Sequence, residues 1–174
     1  FCLAGLAAAD EEVARGHLVL NGGGSKPDVV MEKFIELAGG PQERIVIFPT
    51  ASEEADTGEY YRDLFAKYGC SNVGVAEVHS KTDATDSELA ARLAAARGIW
   101  FSGGDQRRIT NALLDTPVGE AVVAAFEGGA VVGGTSAGTA CQSALMITGD
   151  GDFTVLNADN IELQRGLGLF GPPA

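Results

Sequence analysis

Short apolar runs alternate with longer amphipathic stretches along the chain, and this alternation constrains the fold more than any other feature. Residues 44–48 and 99–101 are continuous apolar runs, typical of strands buried on both faces. Residues 28–38 carry apolar side chains at helical spacing, and Gly39 ends that stretch. Strands separated by helices predict an α/β domain with a parallel sheet and helices on both faces.

The other predicted elements continue the pattern. Strands are predicted at residues 17–20, 73–78 and 131–132, and helices at residues 59–68, 89–97, 109–114 and 118–126. Thr85 and Glu88 have the spacing of a capping box ahead of the third helix. Residues 139–145 are predicted to be helical, with Cys141 on the buried side.

Composition limits the class of protein. The 174 residues carry a formal net charge of −12, which argues against nucleic-acid binding and is compatible with a cationic substrate. A hydrophobic fraction of 45% is that of a globular domain, and no stretch has the length of a membrane span. Three widely spaced cysteines predict neither a disulfide framework nor a metal site.

Residues 1–9, F-C-L-A-G-L-A-A-A, are apolar and small and end in an A-x-A pattern. They resemble the end of a signal peptide, which predicts a secreted or periplasmic protein. The alternative is an ordinary apolar helical turn in a cytoplasmic protein.

The segment G-G-T-S-A-G at residues 133–138 follows an apolar run. Strand, tight turn and helix form the setting in which a G-x-S-x-G serine becomes a nucleophile, here Ser136. The turn requires small neighbours, and Gly134, Ala137 and Gly138 are small. The N–H of Ala137 would lie at a helix N-terminus, where it can stabilise an oxyanion. The alternative is a serine that caps a helix after a glycine-rich turn.

Two further glycine-rich loops follow predicted strands. Residues 22–26, G-G-G-S-K, lack the spacing of a Walker A or dinucleotide loop, which favours a tight strand-to-helix turn. Residues 103–106, G-G-D-Q, could bring backbone N–H groups to a substrate carbonyl. Ligands of open α/β sheets bind at the carboxyl edge, where these loops and the serine turn are predicted to meet.

Together the loops resemble those of the cyanophycinase-like serine peptidases, a family that includes the aspartyl dipeptidases. The matching stretches are L-N-G-G-G-S at 20–25, A-G-G-P-Q-E-R-I-V-I-F-P-T-A-S at 38–52, F-S-G-G-D-Q at 101–106, G-G-T-S-A-G at 133–138 and G-L-G-L at 166–169. The G-G-D-Q form resembles the cyanophycinase branch. The resemblance implies one domain over residues 17–174. It would be a three-layer α/β/α sandwich with a mainly parallel, flavodoxin-like sheet, related to class I glutamine amidotransferases.

The resemblance also implies roles for single residues. Ser136 corresponds to the nucleophile, Gly104 and Ala137 to the backbone donors of the oxyanion hole, and Gln106 to a substrate-contacting glutamine. Asp105 is a candidate partner for a substrate arginine, because guanidinium–carboxylate pairs are bidentate and directional. The implied reaction is cleavage after β-linked or α-linked aspartyl residues, with cyanophycin, a β-aspartyl-arginine polymer, as the expected substrate.

The base that must activate the serine is not among the matched residues. In the family it follows G-L-G-L in a D-Q-H-like motif, which residues 170–174 do not contain. The histidines are His17 and His79; His79 could reach the cleft edge, but neither matches that motif. The domain is therefore expected to be truncated at its C-terminus and inactive as given. The candidates for the triad carboxylate are Asp150, Asp152, Asp159 and Glu162.

Three functions remain open from the sequence. The first is a serine peptidase of the cyanophycinase type, without metal or other cofactor, acting on a peptide or cyanophycin-like polymer and assembling as a homodimer. The second is an α/β-hydrolase esterase with the same G-x-S-x-G turn. The third is a binding protein of this fold that has lost the base.

Overall fold

A five-stranded parallel sheet forms the centre of the computed structural model, which describes residues 16–149 and 161–170. Its strands are β1 (Leu18–Asn21), β2 (Ile45–Phe48), β3 (Val73–Val75), β4 (Gly98–Phe101) and β5 (Val131–Thr135). They stand side by side in the order β1-β5-β4-β2-β3. Because all pairs are parallel, the carboxyl ends of the strands lie along one edge of the sheet.

Helices cover both faces of the sheet. They are α1 (Asp28–Ala38), α2 (Thr57–Lys67), α3 (Ser87–Ala94), α4 (Gln106–Leu113) and α5 (Pro117–Glu127). The first two pack on one face, and the other three on the opposite face. The predicted three-layer α/β/α sandwich is therefore confirmed. In the described ranges, no helix is both long enough and apolar enough to cross a membrane.

The central strands bury both of their faces, as their continuous apolar sequence predicts. In β2, Ile45 and Ile47 pack towards α1 and α2, whereas Val46 and Phe48 pack into the opposite core. Trp100 of β4 is fully buried, and its ring centroid lies 5.1 Å from that of Phe34. The sheet is thus a rigid platform for the loops at its carboxyl edge.

Two local predictions are wrong near the third helix. The first turn of α3 is capped by Asp86, whose carboxylate accepts the N–H groups of Glu88 and Leu89. Thr85 is instead part of a short 3-10 turn, and its hydroxyl donates to the Thr82 carbonyl. The carboxylate one position later therefore replaces the predicted capping box. The third strand is also shorter than predicted and ends at Val75.

The helix predicted at residues 139–145 is also wrong. The helix after the serine turn, α6 (Ala137–Ala140), is a single turn, and β6 (Leu145–Ile147) follows it and pairs antiparallel with β7 (Leu163–Arg165). The carbonyls that would continue the helix bind a distant segment instead: Cys141 accepts from Leu167 N, and Gln142 from Leu169 N. The G-L-G-L segment thus ends the helix through tertiary hydrogen bonds. Cys141 is buried, as predicted.

Candidate active site

Three loops meet around Ser136 at the carboxyl edge of the sheet. A Cβ atom placed on Gly23 would lie 3.4 Å from Ser136 Cβ, and one placed on Gly103 would lie 3.6 Å from it. The loops after β1, β4 and β5 therefore converge on the serine side chain. Ser136 itself is exposed.

The backbone of Ser136 has an unusual conformation, with φ 52° and ψ −113°. A non-glycine residue pays a conformational cost there, and surrounding bonds must hold it in place. Its N–H donates to the Asn21 carbonyl at 2.8 Å, and its own carbonyl accepts from Thr139 N and Ala140 N. The Thr139 hydroxyl also lies within hydrogen-bond distance of the Asn21 and Gly134 carbonyls, at 2.7 and 2.8 Å, and its one proton is shared between them. The strand before the serine and the helix after it thus fix a sharp turn with an exposed hydroxyl.

The glycines around the turn are required by close packing, as the sequence predicts. A Cβ on Gly134 would lie 2.2 Å from the Gly138 carbonyl oxygen, and one on Gly138 would lie 2.3 Å from that of Phe101. A Cβ on Gly133 would lie 2.6 Å from the Trp100 ring. The approach of α6 to β4 and β5 therefore depends on these positions having no side chain.

The two backbone groups predicted to bind an oxyanion are the N–H groups of Gly104, in the loop after β4, and of Ala137, which directly follows Ser136. Ala137 is the first residue of α6, so its N–H has no acceptor within that helix. Gly104 lies after β4 in a turn fixed by the bonds of Ser102 N to the Phe48 carbonyl and of Asp105 N to the Ala51 carbonyl. Their assignment as oxyanion donors stays a prediction.

Gly104 offers a test of that loop. Its φ is +140°, and an added Cβ would lie 2.0 Å from the Ala51 carbonyl oxygen. We expect Gly104→Ala to displace the loop, to lower kcat by about 10²- to 10³-fold if an oxyanion donor is lost, and to cost about 1–3 kcal/mol of unfolding free energy. The measurements are steady-state kinetics on the full-length protein and denaturant melts.

Gly40→Ala is the matched control for this variant. Gly40 has φ +115° but no atom within 4 Å of an added Cβ, and it lies beyond the end of α1. Gly40→Ala should lower the free energy of unfolding and leave kcat near the wild-type value. Equal losses of kcat in the two variants would contradict a role for the Gly104 loop in turnover.

Gln106 begins α4 and links this loop to β6. Its Nε2 donates to the Ile147 carbonyl at 2.8 Å and to the Thr148 carbonyl at 2.7 Å. Both amide hydrogens are thus engaged, so a substrate hydrogen bond to this side chain would be accepted by Oε1. Gln106 lines a cavity of about 440 Å³ together with Ser136, which is consistent with its predicted place beside the substrate.

Asp105 has partners within its own helix. Its carboxylate accepts the Arg107 N–H, which caps α4, and pairs with the Arg107 guanidinium at 2.9 Å. This hydrogen bonding holds the pKa of Asp105 below its ordinary value. A substrate arginine would therefore compete with Arg107 for this carboxylate, and the role of Asp105 in binding stays a prediction.

Ser136 lies between two cavities. We call the first the glutamine cavity; it is the 440 Å³ space that Gln106 lines, and none of its described lining residues is charged. We call the second the lysine cavity; it has a volume of about 290 Å³ and is lined by Lys26, Ser52 and Ser102, among others. A peptide laid across Ser136 would place groups in both.

Neither histidine lines these two cavities. His17 precedes β1, and its carbonyl accepts from Val132 N at the amino end of the sheet, roughly 13 Å of strand from Ser136. His79 follows β3 and lines a separate cavity with Arg108 and Thr50. Its Nε2 lies 3.1 Å from a carboxylate oxygen of Glu77. The expectation that His79 could reach the cleft edge thus finds no support in these contacts.

Of the four candidates for the triad carboxylate, Glu162 is the one within the described residues. Asp150, Asp152 and Asp159 lie outside the described residues, as do residues 1–9. Glu162 is exposed beside β7. Cys141 is no alternative nucleophile, because burial raises the pKa of its thiol well above the ordinary value.

The family model of Peptidase family S51 matches residues 18–171. The chain belongs to peptidase family S51. The matched residues include the glycine-rich loops, the serine turn and the G-L-G-L segment. The family assignment favours a peptidase over the α/β-hydrolase esterase.

Named relatives of this S51 chain are cyanophycinases. It is 36% identical to the cyanophycinase of Synechococcus elongatus over 162 residues, which are 88% of this chain and 50% of that protein. It is 34% identical to the cyanophycinase of Trichormus variabilis over 142 residues, 80% of this chain and 48% of that protein. The chain thus spans about half the length of the curated relatives it matches.

Solved structures of peptidases share the fold. A peptidase from an acI-B1 actinobacterium superposes with a TM-score of 0.70 at 24% identity, covering 89% of this chain and 65% of that one. A candidate peptidase E protein from Listeria monocytogenes superposes with a TM-score of 0.62 at 22% identity, covering 90% and 76%. At these identities the likeness shows the α/β sandwich alone.

The lysine cavity contains residues that the sequence did not single out. Lys26 follows the first glycine-rich loop, Ser52 ends the P-T-A-S segment, and Tyr60 lies in α2. They belong to three separate segments, so no local pattern joins them. Only their position after β1 and β2, at the carboxyl edge, could have indicated that they share a site.

Proposed function

We propose that the full-length protein is a serine peptidase of the cyanophycinase type and that Ser136 is its nucleophile. The observation that carries the proposal is the strained, exposed Ser136, held by bonds to Asn21 and Thr139 between two cavities. Strain retained at one exposed polar residue is typical of a functional site. Membership of peptidase family S51 supplies the reaction class.

In the proposed reaction the Ser136 hydroxyl attacks the carbonyl carbon of a peptide bond while a base takes its proton. The carbonyl oxygen becomes an oxyanion, which the N–H groups of Ala137 and Gly104 would stabilise. The amine then leaves with a proton, and water hydrolyses the acyl-enzyme to release the acid and restore the serine. The proposed base is a residue other than the described ones that line the two cavities.

The proposed substrates are peptides with aspartyl linkages, including cyanophycin-like polymers. The proposal draws on the cyanophycinase relatives and on the net charge of −12, which would attract a polymer carrying guanidinium groups. The third open function, a binding protein without activity, would take the same ligand and leave it intact. Turnover therefore separates the two.

The test is a comparison of β-Asp-Arg, β-Asp-Lys and β-Asp-Leu substrates with full-length protein, with and without EDTA. We expect hydrolysis of the arginine substrate to be fastest, by about tenfold in kcat/KM if a carboxylate pairs with the guanidinium. The expected rates are the same in EDTA, since the proposed steps use only protein groups.

Each result contradicts a different part of the proposal. Equal rates on the three substrates would remove the arginine preference and leave the peptidase. Loss of activity in EDTA would point to metal-dependent hydrolysis and away from Ser136. Binding of all three without turnover would favour the inactive binding protein.

A further inference from the structure

Strand β6 forms part of the wall of the glutamine cavity. Its three residues, Leu145, Met146 and Ile147, line that cavity together with Ser136 and Gln106. One edge of β6 pairs with β7, and within the described residues no strand pairs with its other edge. An unpaired edge presents backbone N–H and C=O groups to which another extended chain can bind. The direction of each backbone group therefore decides what β6 can offer to a ligand in the cavity.

Alternate residues of β6 and its flanks point their backbone groups towards β7. The Ala144 carbonyl and the Thr148 N–H both form hydrogen bonds of 3.0 Å with residues that flank β7. In an antiparallel pair the residues that bond across to the partner alternate along the strand. Residues 144, 146 and 148 therefore face β7, whereas Leu145 and Ile147 direct their backbone groups to the open edge.

The two carbonyls at the open edge already have donors from side chains. Gln106 Nε2 donates to the Ile147 carbonyl at 2.8 Å, and the Ser143 hydroxyl lies 2.9 Å from the Leu145 carbonyl. Because Gln106 itself lines the glutamine cavity, the open edge faces that cavity. The N–H groups of Leu145 and Ile147 have no acceptor among the described residues. Two donors, about 7 Å apart along the strand, are thus available to a ligand.

The position of these donors favours one ligand, an extended peptide. Leu145 is 55% exposed and Ile147 is 52% exposed, so this edge is accessible from solvent. The carbonyls that point to one side of an extended peptide recur at every second residue, which is the spacing of the two N–H groups. A strand of protein held here would fill the cavity in which Ser136 lies. The occupant that is compatible with turnover is therefore the substrate.

We propose that the peptide substrate binds as an added strand along the open edge of β6, with two of its carbonyls accepting from Leu145 N and Ile147 N. The proposal rests on the proposed peptidase function, and it states how the main chain of the substrate is held. The three residues of β6 match about three substrate residues, roughly 10 Å of extended chain. Binding through the main chain would align a peptide beside Ser136 independently of its side chains.

The expected signature is a period of two along the substrate. In an extended aspartyl peptide, a trans-alkene isostere replaces one non-scissile peptide bond at a time and removes its carbonyl acceptor. With the full-length protein, we expect kcat/KM to fall about three- to tenfold at two bonds that are separated by one unaffected bond. The same spacing holds for parallel and antiparallel pairing with β6. Equal losses at all three bonds, or no loss at any bond, would overturn the proposal.

A pair of proline variants tests the same donors from the side of the protein. Ile147→Pro removes one N–H at the open edge, a position where an edge strand tolerates proline. Leu163→Pro is the matched control, because Leu163 lies opposite Ile147, is also 52% exposed and directs its N–H to the far edge of β7. In a Ser136→Ala background, we expect Ile147→Pro to weaken peptide binding about three- to tenfold and Leu163→Pro to leave it within about twofold. Ile147→Ala keeps the N–H and measures the contribution of the side chain.

Amide hydrogen exchange reports on the edge without turnover. In full-length Ser136→Ala protein, the amides of Leu145 and Ile147 should exchange rapidly, and a bound aspartyl peptide should slow them by about tenfold or more. The amide of Leu163 should not change. Protection of Leu145 and Ile147 in the free protein would show that another segment or a second copy already occupies the edge, and it would overturn the proposal.

The outcomes separate the two proposals. A period of two in peptide binding to Ser136→Ala protein, without hydrolysis by wild type, would sustain the added strand and overturn the peptidase. Hydrolysis without a periodic loss, or equal effects of Ile147→Pro and Leu163→Pro on binding, would overturn the added strand and leave the peptidase. If Ile147→Pro lowers Tm, the isostere series on the wild-type protein decides.

Discussion

Replacing Ser136 by alanine is expected to lower kcat of the full-length protein by about 10⁴- to 10⁶-fold, with little change in stability. Loss of a nucleophile leaves only substrate binding and oxyanion stabilisation, which together give a small residual rate enhancement. Alanine removes one exposed hydroxyl, and the bonds that hold the turn come from the backbone of residue 136 and from Thr139. Initial rates on a β-Asp-Arg substrate and thermal melts check both parts.

Ser71→Ala is the control for this loss. Ser71 is exposed beyond the amino end of β3, where its hydroxyl donates to Gln42, and it lines neither cavity at Ser136. Its activity should stay within about twofold of wild type, because the change touches only a surface hydrogen bond. Activity of Ser136→Ala within tenfold of wild type would contradict the assignment of the nucleophile.

Residues 1–174 on their own are expected to hydrolyse peptides about 10⁴- to 10⁶-fold more slowly than the full-length protein. A serine hydroxyl is a poor nucleophile unless a base removes its proton. His17 lies at the amino end of the sheet, and His79 lines a different cavity with Glu77 as its partner. Neither is placed to accept the proton of Ser136. Single-turnover assays on both forms measure the difference.

His79→Ala completes this comparison. In the 174-residue chain it should change nothing, because the imidazole pairs with Glu77 away from the serine. Efficient hydrolysis by that chain, lost on His79→Ala, would instead make His79 the base and would require the loop after β3 to move. Binding of substrate by the short chain is expected to persist, since both cavities are present in it.

The sheet and its helices could be predicted from sequence because their signals are local. Residues 45–48 are apolar throughout, and the helix predicted at residues 28–38 has the observed bounds. A strand buried on both faces and a helix ended by glycine need no information from elsewhere in the chain. The turn at Ser136 could be predicted in the same way, because a run of consecutive small residues forms it.

The errors in the predicted secondary structure arise where residues distant in sequence determine the local conformation. The helix after the serine turn ends at Ala140 because Leu167 and Leu169 bind the next carbonyls, a contact across more than twenty residues. β6 forms only because β7 pairs with it. Sequence periodicity reports the preference of a segment, and here tertiary hydrogen bonds override it.

The lysine cavity was missed for a related reason. Lys26, Ser52 and Tyr60 come from three segments and carry no common motif. Asp105 is the opposite case. Its position beside Gln106 in the sequence suggested a substrate contact, but in the structure its carboxylate caps α4 and pairs with Arg107. Side-chain partners of this kind follow from packing and could not be predicted from order along the chain.

The most direct test of the account is the site of covalent labelling in the full-length protein by a serine-directed sulfonyl fluoride. We expect one modified residue, Ser136, and we expect its labelling to increase at the same rate at which activity is lost. Peptide mapping by mass spectrometry identifies the residue, and Ser136→Ala protein should remain unlabelled. Labelling of another residue with full loss of activity, or complete labelling of Ser136 with activity retained, would contradict the account.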